Sequence, residues 1–196
     1  MRHITSVLLA SVLALGTAQV AQAQGKKASK AKVFSITSSA FRDGGKLAVK
    51  NAGNNKSNPN CVGENVSPPL AWKNPPEGTK SYVLLMSDPE GRAPAGVSHW
   101  VAYGIPVSVT GFAEGEVSKP SDKYVGGKST MNLGNYFGPC TPPGPKHHYT
   151  FVLIATDLDA KALQPGMTRE ELPKALDGHV KGSTGLIGTF QNPNTK

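Results

Sequence analysis

Residues 138–157 read GPCTPPGPKHHYTFVLIATD. Pro139, Pro142, Pro143 and Pro145 stiffen the first part, because each proline fixes its own φ and removes a backbone donor. Residues 148–156 (HYTFVLIAT) are rich in aromatic, aliphatic and β-branched side chains and predict a strand. Two adjacent histidines, His147 and His148, stand where the rigid loop becomes that strand. Side chains alternate along a strand, so His147 and Tyr149 share one face and His148 takes the other. The expected product is one wall of a small polar pocket suited to a phosphate or similar anion.

Working outward, the strand signals are short and recurrent. Residues 32–41 (KVFSITSSAF) alternate, and Asp43-Gly44-Gly45 is a strong turn signal with a hairpin partner expected over 46–49. Residues 81–87 (SYVLLMS) form a continuous apolar run, as in a strand buried on both faces. Residues 99–105 (HWVAYGI) and 186–190 (LIGTF) complete the set. One short helix is expected late, over 168–180, with Thr168 and Glu171 in capping-box spacing and Leu172, Ala175, Leu176 and Val180 on one face. Pro173 complicates its start and Gly178 threatens an early end. Two long loops separate the strands, one over 51–60 made mostly of Asn, Gly, Ser and Lys and one over 111–145 rich in Gly, Lys and Ser and then Pro. Strands followed by a single late helix indicate a mainly β, antiparallel sandwich rather than βαβ units.

The N-terminus has the form of a cleaved secretory leader over residues 1–23: a basic start, an apolar run and Ala21-Gln22-Ala23. The apolar run falls short of the roughly 20 residues a membrane helix needs, so no transmembrane segment is expected. A basic, disordered tail over 24–32 and one domain over 33–196 would follow, in the periplasm or outside the cell. The formal net charge is +8. The lysines are scattered, and no stretch interleaves basic and aromatic residues as a nucleic-acid platform would, so nucleic acid is not an expected partner. Cys61 and Cys140 both lie in Gly/Pro-rich loops. Export would put them in an oxidising compartment, and the spacing leaves open whether they pair. There is no G-x-S-x-G elbow, no activated nucleophile and no cofactor motif, which favours binding over turnover. Asp88, His99 and His147 contain the residue types of a two-histidine, one-carboxylate metal site, but no H-x-H or H-E-x-x-H spacing supports one, and no metal is expected.

Polar groups gather where strands end: Asp88-Pro89-Glu90 after the run 81–87, His99-Trp100 at the head of the next strand, and the opening segment. Together with CVGENVSPPLAW over 61–72 and GSTGLIGTF over 182–190, these resemble the phosphatidylethanolamine-binding protein family, also called the Raf kinase inhibitor protein family, in its bacterial branch. The resemblance runs from about Val33 onward. This chain departs from the family pattern in having Glu90 where an aspartate is usual, in Gly91-Arg92 before Ala93-Pro94, in an extra Thr141 within Cys-Pro-Pro, and in His148 where arginine is common.

The resemblance implies a β-sandwich with a surface pocket formed by Asp88, His99, His147 and Tyr149, lined by Gly138 and Pro139, and flanked by Glu90 and Trp100. A carboxylate beside imidazoles would raise their pKa, so that charged rings grip a monoanionic phosphate while Asp88 serves an ammonium. The expected ligand is a small anion or phospholipid headgroup. The alternative partner is a protein, a protease or kinase that the module inhibits, as some relatives do.

Overall fold

The computed structural model describes residues 32–196. The expected leader over 1–23, and all but the last residue of the expected tail over 24–32, lie outside them. Nine strands, a 3₁₀ turn at Val49–Asn51 and one turn of α-helix make up the regular structure. The strands are β1 (Ser35–Thr37), β2 (Gly45–Lys46), β3 (Leu70–Lys73), β4 (Ser81–Asp88), β5 (Val97–Pro106), β6 (Gly111–Phe112), β7 (Val125–Gly126), β8 (His147–Thr156) and β9 (Val180–Phe190), with α1 (Leu172–Ala175) between the last two.

They form two sheets, one ordered β1-β3-β6 and the other β2-β9-β8-β4-β5-β7. Every named pairing is antiparallel except β2 with β9. The main core lies between the sheets. Ile36, Leu70, Trp72 and Phe112 of the small sheet meet Tyr82, Leu84, Met86, Trp100, Tyr149, Phe151 and Leu153 of the large one. Alternation then sends Val83, Val101 and Tyr103 to the far face of the large sheet, where Leu172 and Leu176 cover them. The run 81–87 is therefore buried on both faces, as expected for the central strand of a covered sheet. Among the described residues, no helix is long and apolar enough to cross a membrane.

Four sequence expectations need correction. The strand expected over 32–41 is ordered as strand only at Ser35–Thr37. The turn after it is real, with the Gly45 amide donating to the Arg42 carbonyl at 2.7 Å. The chain leaving that turn does not fold back on β1, however. Asp43 Oδ1 accepts the Ile187 amide, and the Gly44 and Leu47 amides donate to Ile187 and Thr189, so β9 captures it as a parallel partner. The helix over 168–180 shrinks to one turn. Thr168 and Glu171 do exchange reciprocal bonds, at 2.8 and 3.3 Å. Gly178 then adopts φ +76°, and His179 Nδ1 bonds Asp157 Oδ1 at 2.8 Å, drawing the chain back to the end of β8. From there β9 runs eleven residues, pairing the whole length of β8, where only 186–190 was expected as strand.

Candidate functional site

At one end of the sandwich, a cavity of about 340 Å³ opens between the end of β4, the start of β5, the start of β8 and three loops. Asp88, His99, His147 and Tyr149 all line it. Period-two alternation explains three of them. Asp88 continues the inward row Tyr82, Leu84, Met86 on β4, and His147 continues Tyr149, Phe151, Leu153 on β8.

His99 arrives by another route. Met86 pairs with Trp100 and Ser87 with Ser98, so His99 is the extra residue of a β-bulge in β5. Strict alternation would turn its ring away from the face Trp100 occupies. The bulge re-aims it inward, and it meets the Tyr149 ring edge-on with centroids 5.1 Å apart.

Hydrogen bonds fix both imidazoles. His147 Nδ1 lies 2.8 Å from Asp88 Oδ2, and His99 Nδ1 lies 2.8 Å from the Phe137 carbonyl. Both partners are acceptors, so both Nδ1 atoms carry the proton. Each Nε2 therefore accepts a hydrogen bond in the neutral ring and donates one only in the charged ring. Burial holds the His99 imidazole below the usual histidine value, outweighing the Phe137 carbonyl and the Asp88 charge, which act the other way. The expectation that a neighbouring carboxylate keeps both rings charged thus fails at His99, because desolvation is the larger effect.

Asp88 joins the loop that follows it to β8. Its Oδ1 accepts the amides of Glu90 and Gly91, both at 2.9 Å, while Oδ2 takes His147. It is a turn-former and a site group at once: Oδ1 is filled by two amides, and Oδ2 keeps one acceptor site beyond the His147 bond.

Of the five buried hydroxyls without a well-formed hydrogen bond among the described residues, two belong to the cavity's lining, and they lie near each other and near Asp88. Tyr149 is 0% and Thr141 2% exposed, both line the cavity, and neither side-chain oxygen is hydrogen-bonded. Burial above all, and then the Asp88 carboxylate, push the Tyr149 phenol far above the usual tyrosine range, so it is a donor. Buried polar groups in folded proteins are overwhelmingly paired. Two such hydroxyls among the lining residues of one cavity, beside three elsewhere at Ser35, Ser98 and Tyr124, make the cavity the polar candidate in the fold.

Cys61 and Cys140, whose pairing the sequence left open, form a disulfide with Cα atoms 4.3 Å apart. It ties two of the loops that wall the cavity, and both sulfur-bearing residues line it.

Other expected residues stand elsewhere. Gly138 and Pro139 are buried behind the cavity rather than lining it. A Cβ at Gly138 would run into the Asn51 carbonyl, the Gly138 amide donates to Asn65 Oδ1 at 2.8 Å, and the Pro139 carbonyl accepts the Gly53 amide at 2.8 Å. They seat the loop, and their neighbours Phe137, Cys140 and Thr141 face the cavity. Trp100 belongs to the core, edge-on to Tyr124 and Tyr136. Glu90 points outward to His148, with Nδ1 to Oε1 at 2.6 Å and the His148 side chain 44% exposed. Burial pushes the Glu90 carboxyl up, but the bonds from His148 and nearby backbone outweigh it and leave the group below the usual glutamate value. Asp88, Glu90 and His147 bring possible metal-ligating atoms within 4.8 Å of one another, but their mutual tie and the His148 bond already occupy them.

Sequence reasoning missed Thr141 and Arg92 as lining residues, although both were visible as departures from the family pattern. It also missed Asn65, at φ +60°, which clamps Gly138 and Tyr136. A larger, mostly apolar cleft of about 550 Å³ lies on the opposite face of the large sheet, between Leu85, Ile154, Leu172 and Leu176. It has no comparable convergence of polar groups, so chemistry, not size, selects the smaller cavity.

A family model described as phosphatidylethanolamine-binding protein matches residues 37–191. The chain belongs to the phosphatidylethanolamine-binding protein family. A protein of Methanothermobacter thermautotrophicus named UPF0098 is 37% identical over 163 residues, 81% of this chain and 99% of its own length. A UPF0098 protein of Pyrococcus abyssi is 39% identical over 138 residues, covering 67% of this chain and 75% of its own length. Among solved structures, a phosphatidylethanolamine-binding protein homologue from Chlamydia trachomatis superposes with a TM-score of 0.68 at 31% identity, covering 81% of this chain and 97% of that one. The Escherichia coli protein YbcL, at 24% identity and TM-score 0.71 over 81% and 98% of the two chains, shares the fold. The mostly β architecture is thus that of the phosphatidylethanolamine-binding protein fold.

Proposed function

We propose that this protein binds a small anion, the phosphate of a phospholipid headgroup or of a soluble ester, in the cavity walled by Asp88, His99 and His147. One observation carries the reading: two imidazoles with Nδ1 anchored and Nε2 left over share a cavity with two buried, unpartnered hydroxyls. Four tetrahedrally arranged oxygens suit such a convergent set, with the hydroxyls donating and an imidazolium adding a charge-assisted bond. The family name supports a phospholipid headgroup as one source of that phosphate.

Because each Nε2 donates only when charged, anion binding takes up a proton. Affinity then falls as pH rises. Calorimetry with inorganic phosphate tests this. Wild type binds with proton uptake, His147→Ala loses binding, and His179→Ala, whose ring pairs with Asp157 away from the cavity, keeps it. Equal affinity in wild type and His147→Ala sinks the reading.

Export to the periplasm or beyond belongs to the same proposal. The leader-like N-terminus and the bridged Cys61–Cys140 pair support it, since disulfides persist in oxidising compartments. An intact mass from the native host that begins at Met1 would contradict it.

A further inference from the structure

We propose that Arg92 selects the ligand: the cavity takes a terminal phosphate monoester and discriminates against a zwitterionic aminoalkyl phosphodiester. The inference rests on the anion-binding reading above and adds to it the charge and shape of the anion.

Arg92 carries the one guanidinium or ammonium among the cavity's lining residues. A guanidinium keeps its charge across the protein pH range and matches two phosphate oxygens at once. The other charges in the cavity are already engaged: His99 is buried against its charged form, and the Asp88 carboxylate holds Glu90, Gly91 and His147. Among the described residues, the Arg92 side chain makes no ion pair and no hydrogen bond. Nothing in the fold uses its charge.

The backbone delivers that charge to the cavity. Gly91 presses against the site: a Cβ there would meet Asp88 Oδ2 at 3.0 Å and Val97 Cγ2 at 2.8 Å. The next residue, Arg92, adopts φ +48°, a left-handed conformation that side chains rarely take. Such an outlier persists only where its surroundings enforce it, and here they do. Asp88 Oδ1 holds the Glu90 and Gly91 amides, and the Glu90 carboxylate holds His148. The Ala95 amide bonds the Arg92 carbonyl at 3.2 Å, and Arg169 Nη2 bonds the Ala95 carbonyl at 3.3 Å. Arg92 thus stands at the apex of a loop pinned on both sides, with its exposed and unpaired side chain among the residues that line the cavity.

A monoester brings up to two negative charges and three unsubstituted oxygens, enough for Arg92, an imidazolium and the hydroxyls of Thr141 and Tyr149. A diester brings one charge and two free oxygens. The ammonium of an aminoalkyl diester would meet Arg92 as a like charge, and Asp88, with three of its acceptor sites taken, offsets that only in part.

The test compares glycerol 3-phosphate with glycerophosphoethanolamine by calorimetry, in wild type, Arg92→Gln and Arg92→Lys. Wild type is expected to prefer the monoester by roughly ten- to a hundredfold, about the worth of one charge-assisted hydrogen bond. Arg92→Gln should erase the preference, and Arg92→Lys should keep part of it, with circular dichroism unchanged for both. Equal binding of the two probes by wild type, or a preference that survives Arg92→Gln, overturns the role of Arg92 while phosphate binding stands. Failure of wild type to bind inorganic phosphate at all removes the underlying reading and this inference with it. Phosphatidylcholine vesicles carrying phosphatidic acid, compared with free glycerol 3-phosphate, then separate the two sources of a monoester. Arg92-dependent binding to the vesicles supports a lipid headgroup, and binding of the free ester alone supports a soluble ligand.

Discussion

Replacing Tyr149 with phenylalanine removes one oxygen from the floor of the cavity and separates two effects that usually move together. In the free protein that hydroxyl is buried, with Thr141 and Asp88 nearby but no hydrogen bond of good geometry, and a buried polar group without a hydrogen bond costs about 1–3 kcal/mol. Tyr149→Phe keeps the ring, and with it the edge-on contact to His99 and the packing on the main core. The variant should therefore be more stable than wild type in phosphate-free buffer, by about 1 kcal/mol or more, which for a domain of this size raises Tm by roughly 2–4 °C per kcal/mol. Phosphate affinity should move the other way. Losing a bond from a neutral donor to a charged acceptor costs about 1.5–3 kcal/mol, a roughly 10- to 150-fold weaker Kd. Because a ligand stabilises the folded state by RT ln(1 + [L]/Kd), added phosphate should then raise the wild-type Tm more than the variant's and narrow or reverse the gap. Thermal melts across a phosphate series, with calorimetry for Kd, read both quantities. A lower Tm for the variant without phosphate, or an unchanged Kd, refutes the claim that this hydroxyl is held in reserve for a ligand.

Other consequences are open to simple measurement. Burial lowers the His99 pKa in the folded state, so below the unfolded value of about 6.5 the unfolded chain binds more protons. This histidine's contribution to stability is complete above that pH and lost as pH falls toward the folded value. Urea midpoints should drop more between about pH 7.5 and pH 5 for wild type than for His99→Gln, and parallel curves would count against a buried neutral ring. The Cys61–Cys140 bridge closes a loop spanning 79 positions, for which chain entropy gives about 4.5 kcal/mol. Paired alanine substitution should lower Tm by roughly 10–18 °C and weaken phosphate binding; free thiols in the unreduced protein would show that the bridge does not form. Asp88→Asn keeps an oxygen for the Glu90 and Gly91 amides but can turn an amide donor toward His147 Nδ1. Phosphate affinity and the His147 imidazole ¹⁵N shifts should change while Tm moves little, and an unaltered ring spectrum would show that Asp88 does not orient it.

Much of the site was legible because period two is reliable along long, continuous strands. His147 and Tyr149 could be placed on one face from alternation alone, whereas Asp88, at the end of a run buried on both faces, came from the family resemblance. His99 could not, since a bulge breaks the alternation and nothing in SHWVAYG announces one. Loops were harder for a related reason. The sequence shows that residues 138–145 are stiff, but not which side of them turns inward. Gly138 and Pro139 were therefore assigned to the lining that Phe137 and Thr141 provide. The helix over 168–180 had the right amphipathic period, but Gly178 and the His179–Asp157 bond overrode it. The first half of β9, VKGSTG, carries too little apolar signal to read as strand and is ordered by pairing with β8. Arg92 and Thr141 were visible only as departures from a family pattern, and the fold turns both toward the cavity.

The most direct trial of the account is a crystal soaked in arsenate, a tetrahedral oxyanion with an anomalous signal. The account predicts a peak inside the cavity, within hydrogen-bond reach of His147 Nε2 and of the Tyr149 and Thr141 hydroxyls. An ordered crystal with that cavity holding only water, or with His99 and His147 opening onto different spaces, would contradict it.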